Sequence, residues 1–261
     1  MSGDRDEHLT LLERLDLALA ARATDRQSEF DPSEPEGWPR EELREDPSRD
    51  SAWISQILGL RGFEIGNAET FHILYGASVR QNSASQEARL VRGVQTVLRT
   101  IREHAADGRT PDGWLAVELF RQLTSEIARF RGNALRRDLP WDGVTSVRYP
   151  TSDEIPPLLE TFCEAKHYGD SPEDFVGVHP VRQAVRLLWR FGRIAPFPDF
   201  NHVMAFVLMD AFLLAKGYPM VVPRPADRAL MCQLVTGPTP KRLVQFESRL
   251  VEIADAPPAG A

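Results

Sequence analysis

The chain has little of what marks a secreted, membrane-spanning or nucleic-acid-binding protein. Only two of its 261 residues are cysteine, Cys163 and Cys232. They form no disulfide framework and no metal-ligand spacing, and are expected as small buried apolar residues in a reducing compartment. Long apolar runs are missing too. The longest, Val203 to Ala215, has 13 residues and is interrupted by Asp210, well short of the roughly 18 that a membrane helix needs. The N-terminus, MSGDRDEHL, is charged and has no apolar core segment, so no secretory signal is expected. Lysine is scarce: Lys166, Lys216 and Lys241 stand among 31 basic residues, a bias that genome composition explains better than phosphate binding does. These shortages point to a soluble cytoplasmic protein.

What is present divides unevenly. Residues 1–50 carry 15 acidic and 7 basic side chains, a net of −8, which leaves the other residues at +1. A nearly neutral body with an acidic leader offers no electrostatic footprint for nucleic acid, so neither nucleic acid nor membrane is expected as a partner. Within the leader, Leu9, Leu12, Leu15, Leu19 and Ala23 recur at steps of three and four. They predict an amphipathic helix whose apolar stripe must be covered by the body or by another chain. Residues 29–50 combine four prolines with many charges, and Trp38 is the one obvious anchor; this reads as a linker. The division is a leader over 1–52, a helical domain over 53–255 and a flexible tail over 256–261. With 42% apolar residues, the domain has enough material for a sizeable core.

From Trp53 onward the pattern is mainly helical. Leu90, Val94, Val97, Leu98 and Ile101 give a strong amphipathic stretch over 85–105, and a Gly/Pro/Asp breaker follows at 107–113. A second helix is expected from Trp114 to Phe130. Asp142-Gly143, beside Trp141, is the one good hairpin signal, between short strand-like segments in 139–149. Helices resume near Thr151. His179-Pro180 opens a helix carrying Val181, Ala184, Val185, Leu188 and Trp189 on one face, with Arg182, Arg186, Arg190 and Arg193 on another. That arginine stripe reads as a solvated or ion-paired face. Val203 to Ala215 is apolar nearly all round and predicts a buried central helix, ended by Gly217 and Pro219. Asp210, inside it, needs a hydrogen-bond partner.

Between these two helices lies IAPFPDFNHVMAF. Its placement, with Gly217-Tyr218-Pro219 after the second helix, resembles the signature loop of the Fic (Fido) family of AMP transferases. The resemblance covers roughly residues 70–220. It implies a mainly α-helical, multi-helix fold with a small β-hairpin flap at Trp141, Asp142 and Gly143. It also aligns Ser83 and Glu87 with the family's inhibitory S/T-x-x-x-E segment. Pro196, Phe197, Asp199 and Asn201 match the motif, whereas Ala195 stands where the family has its catalytic histidine. Phe200 and His202 replace two glycines whose backbone amides curl around nucleotide phosphates. Val203 and Phe206 replace the arginines that pair with the outer phosphates.

The chemistry needs a base of near-neutral pKa to take a proton from a target hydroxyl, and Ala195 cannot accept one. Loss of a positioned base lowers a rate by roughly 10² to 10⁴. Each missing arginine contact removes roughly 1.5–3 kcal/mol more, although coupled losses do not simply add. Asp199 is the loop position that could hold a divalent cation and Asn201 the one that could touch a nucleotide; capping of the loop is the plainer role for Asp199. His202 reads as a structural or exposed histidine rather than a relocated base. Glu87 has lost its partner, because Phe206 occupies the place of the second motif arginine.

The first expectation is therefore a pseudoenzyme, without cofactor, that binds a protein partner, self-association included. Phe200, Val203 and Phe206 would fill or line the former nucleotide pocket. A second reading is an enzyme of altered chemistry that uses ATP and Mg²⁺ to transfer a nucleotidyl or other phosphate-containing group. A third is a regulatory partner that binds through its N-terminal helix.

Overall fold

The computed structural model describes residues 12–17, 43–76, 85–163 and 178–255. Regular structure among them is helical, and several helix starts show a local cause. Helix α1 (Pro47–Gly59) begins where Asp46 accepts the backbone N–H groups of Ser48 and Arg49, with proline in the first turn. Helix α2 (Asn67–Tyr75) follows. Helix α3 (Gln86–Ala106) is capped by Ser85, which accepts from the Ala88 N–H. Helix α4 (Gly113–Thr124) is capped by Asp112, which accepts from the Leu115 N–H. A 3₁₀ turn at Ala128–Phe130 and helix α5 (Ile155–Thr161) lead to α6 (Pro180–Ile194), α7 (Asn201–Ala215), α8 (Asp227–Thr236) and α9 (Pro240–Asp255).

Helix α7 is the axis of the packing. Residues 201 to 214 are all buried, as an all-round apolar sequence demands. It packs most extensively on α6 and also touches α1, α3 and α4, while α8 and α9 cover α6 from outside. Asp210, the one acidic residue in this helix, finds its partners: Trp53 Nε1–H donates to Oδ2 at 2.7 Å and the Val221 N–H to Oδ1 at 3.2 Å. Helices α1 and α3 are joined by a buried two-pronged pair, Arg102 to Asp50, at 2.8 and 2.6 Å. Helices α3 and α4 approach so closely that a Cβ on Gly93 would stand 2.3 Å from the Leu123 carbonyl oxygen. Only glycine fits there.

The helical segment 12–17 places Leu12 and Leu15 in the chain's own core. Asp16 accepts the Tyr218 hydroxyl at 2.7 Å and lies 3.2 Å from His179 Nε2. His179 also caps α6, as its position before proline suggested, with Nδ1 accepting from the Val181 N–H. The rest of the leader helix, Trp38, Ser83 and the tail 256–261 lie outside the described residues.

Several elements differ from expectation. Helix α4 stops at Thr124 rather than Phe130, and helix resumes at Ile155 rather than Thr151. Helix α1 already begins at Pro47, inside the stretch that reads as linker. No strand is present among the described residues, so the flap at Trp141, Asp142 and Gly143 is not a hairpin. Its backbone donors go elsewhere: Trp141 N–H to the Pro198 carbonyl, Gly143 N–H to Pro140, Val147 N–H to Val144, and Val144 N–H to the Tyr149 hydroxyl. Two consecutive turns result, and these four donors are not available to a ladder. No described helix is long and apolar enough to cross a membrane.

Candidate functional site

The loop between α6 and α7 is bracketed by two non-glycine residues in the left-handed region, Ala195 at φ 41° and Phe200 at φ 62°. Each such residue costs about 1 kcal/mol or more and persists only where its surroundings over-determine it. Here they do. Phe197 is fully buried and stacks on Phe120 at 4.2 Å between ring centroids. Phe200, also fully buried, stacks on Phe63 and meets Phe130 edge-on. Asn201 closes the loop on itself, its Oδ1 accepting the Phe197 N–H and its Nδ2 donating to the Phe197 carbonyl, both at 2.9 Å.

Three arginines hold the same loop. Buried Arg136 donates to the carbonyls of Ala195, Ile194, Pro150 and Asp138. It thereby satisfies the C-terminal end of α6, where the helix dipole favours a cation. Burial without a carboxylate partner pulls its pKa below the ordinary arginine value. Arg61, from the turn after α1, grips Asp199 with two donors at 2.5 and 3.2 Å, and Arg129 reaches the same carboxylate at 3.4 Å. The Asp199 hydrogen bond raises the Arg61 pKa against the effect of burial. Asp199 also accepts the Phe200 N–H at 2.8 Å. The carboxylate that could have held a cation is thus committed to two guanidinium groups and a backbone amide.

The first turn of α7 carries a second carboxylate. Asp142 reaches in from the turn after α4, accepting Asn201 Nδ2–H at 2.8 Å and the His202 backbone N–H at 3.2 Å. A helix N-terminus is a natural anion site, and in this chain an internal carboxylate fills it. The same carboxylate faces the imidazole: Asp142 Oδ2 lies 3.4 Å from His202 Nδ1. On the far side of the ring, His202 Nε2 is 3.7 Å from Cys232 Sγ. Burial opposes the imidazolium, but hydrogen bonding and charge from Asp142 and Cys232 prevail and raise His202 to about 9. Asp142 shows the converse: burial pushes it up, yet His202 and Asn201 hold it below the usual carboxylate range. Cys232 is pulled below the ordinary thiol value by His202, against burial, with Arg228 adding to the effect.

The residues anticipated from the motif are therefore gathered in one place. Ala195, Pro196, Phe197, Asp199, Phe200, Asn201, His202, Val203 and Phe206 form a continuous loop and helix start, in which Ala195, Phe197, Phe200, Val203 and Phe206 are at most 1% exposed. Glu87 is exposed in the first turn of α3. His202, expected as structural or exposed, is buried and paired on both ring nitrogens. One expectation changes: neither cysteine is sealed in the core, since Cys163 and Cys232 are both half-buried. Arg61, Arg129 and Arg136 were not anticipated, because arginines are abundant and nothing local distinguishes these three. Cys232 as a neighbour of His202 had no sequence signal either, the two lying 30 positions apart. Among the described residues no group of three His, Cys, Asp or Glu could hold a metal ion.

A loop clamped between the end of one helix and the start of a fully buried second one, inside an all-helical body, defines the class of this protein. Residues 114–213 match the sequence model of the Fic/DOC family. The fold is shared with a Fic domain containing signaling protein from Bacteroides thetaiotaomicron, at a TM-score of 0.68 and 19% identity over 94% of this chain and 93% of that one. It is shared also with the segment 134–508 of Fic-1 from C. elegans, at a TM-score of 0.62 and 17% identity over 94% of this chain and 72% of that one. A comparison with curated proteins finds no match. Residues 114–213 are thus similar to the Fic/DOC family, and the fold of the chain is that of Fic-domain structures.

Proposed function

We propose that this chain is a Fic-fold pseudoenzyme: it has lost protein AMPylation and acts by binding another protein. The observation that carries this reading is Asp142. Its carboxylate lies on the first turn of α7, hydrogen-bonded to the His202 N–H and to Asn201, where the family's glycine amides would receive nucleotide phosphates. A phosphate brought to that turn would displace a buried carboxylate or stand beside it, and like charges in a buried site repel strongly.

Other features agree. Ala195 offers no base, and Val203 and Phe206 offer no donors to the outer phosphates. Phe200 and Phe206 are fully buried, in keeping with side chains that have taken the place of a ligand. The altered-chemistry reading would draw on Asp199, Asn201 and His202, yet all three are committed to neighbours within the protein. Binding of a protein is favoured by the apolar surface at the flap, where Leu139 is 72% and Trp141 58% exposed while Asp142 between the turns is buried. Large exposed apolar side chains beside a rigid anchor are the usual raw material of an interface.

The test is transfer of label from α-labelled ATP with Mg²⁺ to any protein in a cell extract, or to the chain itself. No transfer is expected, and none after Ala195→His, because a restored base still lacks the phosphate cradle. Time-dependent labelling by the unmodified chain would overturn the proposal.

A further inference from the structure

We propose that Cys232 is a covalent modification site: its sulfur, held in a Cys232–His202–Asp142 relay, reacts as a thiolate with small disulfides. The geometry is that of an activated nucleophile, with the sulfur near a base and the base oriented by a third group. His202 Nε2 stands 3.7 Å from Sγ, and Nδ1 stands 3.4 Å from Asp142 Oδ2. The three side chains come from separate elements: α8, the first turn of α7 and the turn after α4. Asp142 and His202 are buried, with side chains 1% and 7% exposed, so the relay is fixed. Cys232 is half-buried, so the residue is not sealed in the core as Asp142 and His202 are.

The charged and titratable groups facing the sulfur are His202, Asp142, Arg228 and Tyr149. His202 and Arg228 favour the thiolate, Asp142 opposes it, and the net direction is toward the thiolate. AMP transfer chemistry has no use for this relay, since it leaves the base position at Ala195 empty of function. The relay is read by thiol labelling in the absence of nucleotide and the pseudoenzyme reading by label transfer from ATP, so failure of one is distinguishable from failure of the other.

The reaction is thiol–disulfide exchange. The Cys232 thiolate attacks one sulfur of a small disulfide, a new S–S bond forms at Sγ, and the original S–S bond breaks. The departing thiolate leaves with the bonding pair and takes a proton from solvent or from His202. Cys232 is oxidised and the departing sulfur is reduced, so the step balances with the disulfide as the only co-reactant. The product loses the negative charge beside His202, which weakens the imidazolium.

The experiment treats the full chain with dipyridyl disulfide across a pH series and locates the label by peptide mapping, with Cys163 as the internal comparison and a free cysteine peptide as the external one. The expected result is preferential labelling of Cys232, with the midpoint of its pH–rate profile below that of the free peptide. His202→Gln should raise that midpoint and slow labelling at pH 6 by about tenfold, the effect of one pH unit in the midpoint. Far-UV and near-UV circular dichroism verify that the variant is folded, and Asp142→Asn is the second variant; if neither folds, the profile of the unmodified chain alone decides. A midpoint at or above that of the free peptide, absence of label at Cys232, or a midpoint unmoved in a folded His202→Gln chain would each overturn the proposal.

Discussion

Two buried carboxylates, Asp142 and Asp199, do most to define the site, and they do so in different ways. Asp199 is neutralised by Arg61 and Arg129, whereas Asp142 works through a helix start and an imidazole. The second arrangement has a pH signature. His202 is raised above the ordinary histidine value of about 6.5, so its contribution to stability is fully present below that value and declines as pH rises through the higher folded value. Comparing chains with and without His202→Gln, both carrying Cys232→Ala to remove the thiol's own titration, should give a stability gap that is widest near pH 6 and narrows as pH rises. Denaturant melts at several pH values measure this, and a gap that widened with pH would contradict the pairing. Arg136 makes the other residue-scale prediction. Its fork joins four carbonyls on three segments, so Arg136→Ala should destabilise by about 3 kcal/mol, and Arg136→Lys should recover only part because an ammonium cannot reproduce the fork.

At the scale of elements, the joins between helices are where the structure is tight or strained. Gly93→Ala would force a methyl against the Leu123 carbonyl and should destabilise by about 1–3 kcal/mol, since overpacking at backbone has no flexible side chain to yield. Ala195→Gly should do the opposite. At φ 41° glycine carries no Cβ penalty, and a gain of about 1 kcal/mol is expected in a thermal melt; a loss would show that Ala195 is not strained. The amphipathic helices were legible from periodicity, as over 85–105, and His179 before proline marked the start of α6; Asp46, Ser85 and Asp112 prove to cap their helices as well, but α1 was hidden in a stretch that reads as linker. Helix α7 was legible as buried because an all-round apolar surface has only one stable place. The flap was not. Asp-Gly favours a turn, but a hairpin also needs its neighbouring donors free for a ladder, and Pro198, Pro140 and Tyr149 engage those of Trp141, Gly143 and Val144.

Over the whole molecule, the fold is that of Fic-domain structures, with α7 as its packing axis, and the residues of the loop are bonded to partners from within the chain. The position of the loop and most of its side chains could be read from IAPFPDFNHVMAF, because a contiguous motif carries its own order. What filled the space could not. Asp142, Arg61, Arg129 and Cys232 reach the loop from four segments distant in sequence, and only tertiary structure brings them together. The central claim is that the helix start which serves phosphate in this family is already occupied by Asp142. Equilibrium binding of ATP with Mg²⁺ to the purified chain, followed by calorimetry, tests it most directly. The account predicts no measurable heat of binding at millimolar nucleotide for the unmodified chain, and saturable binding with one nucleotide per chain would contradict it.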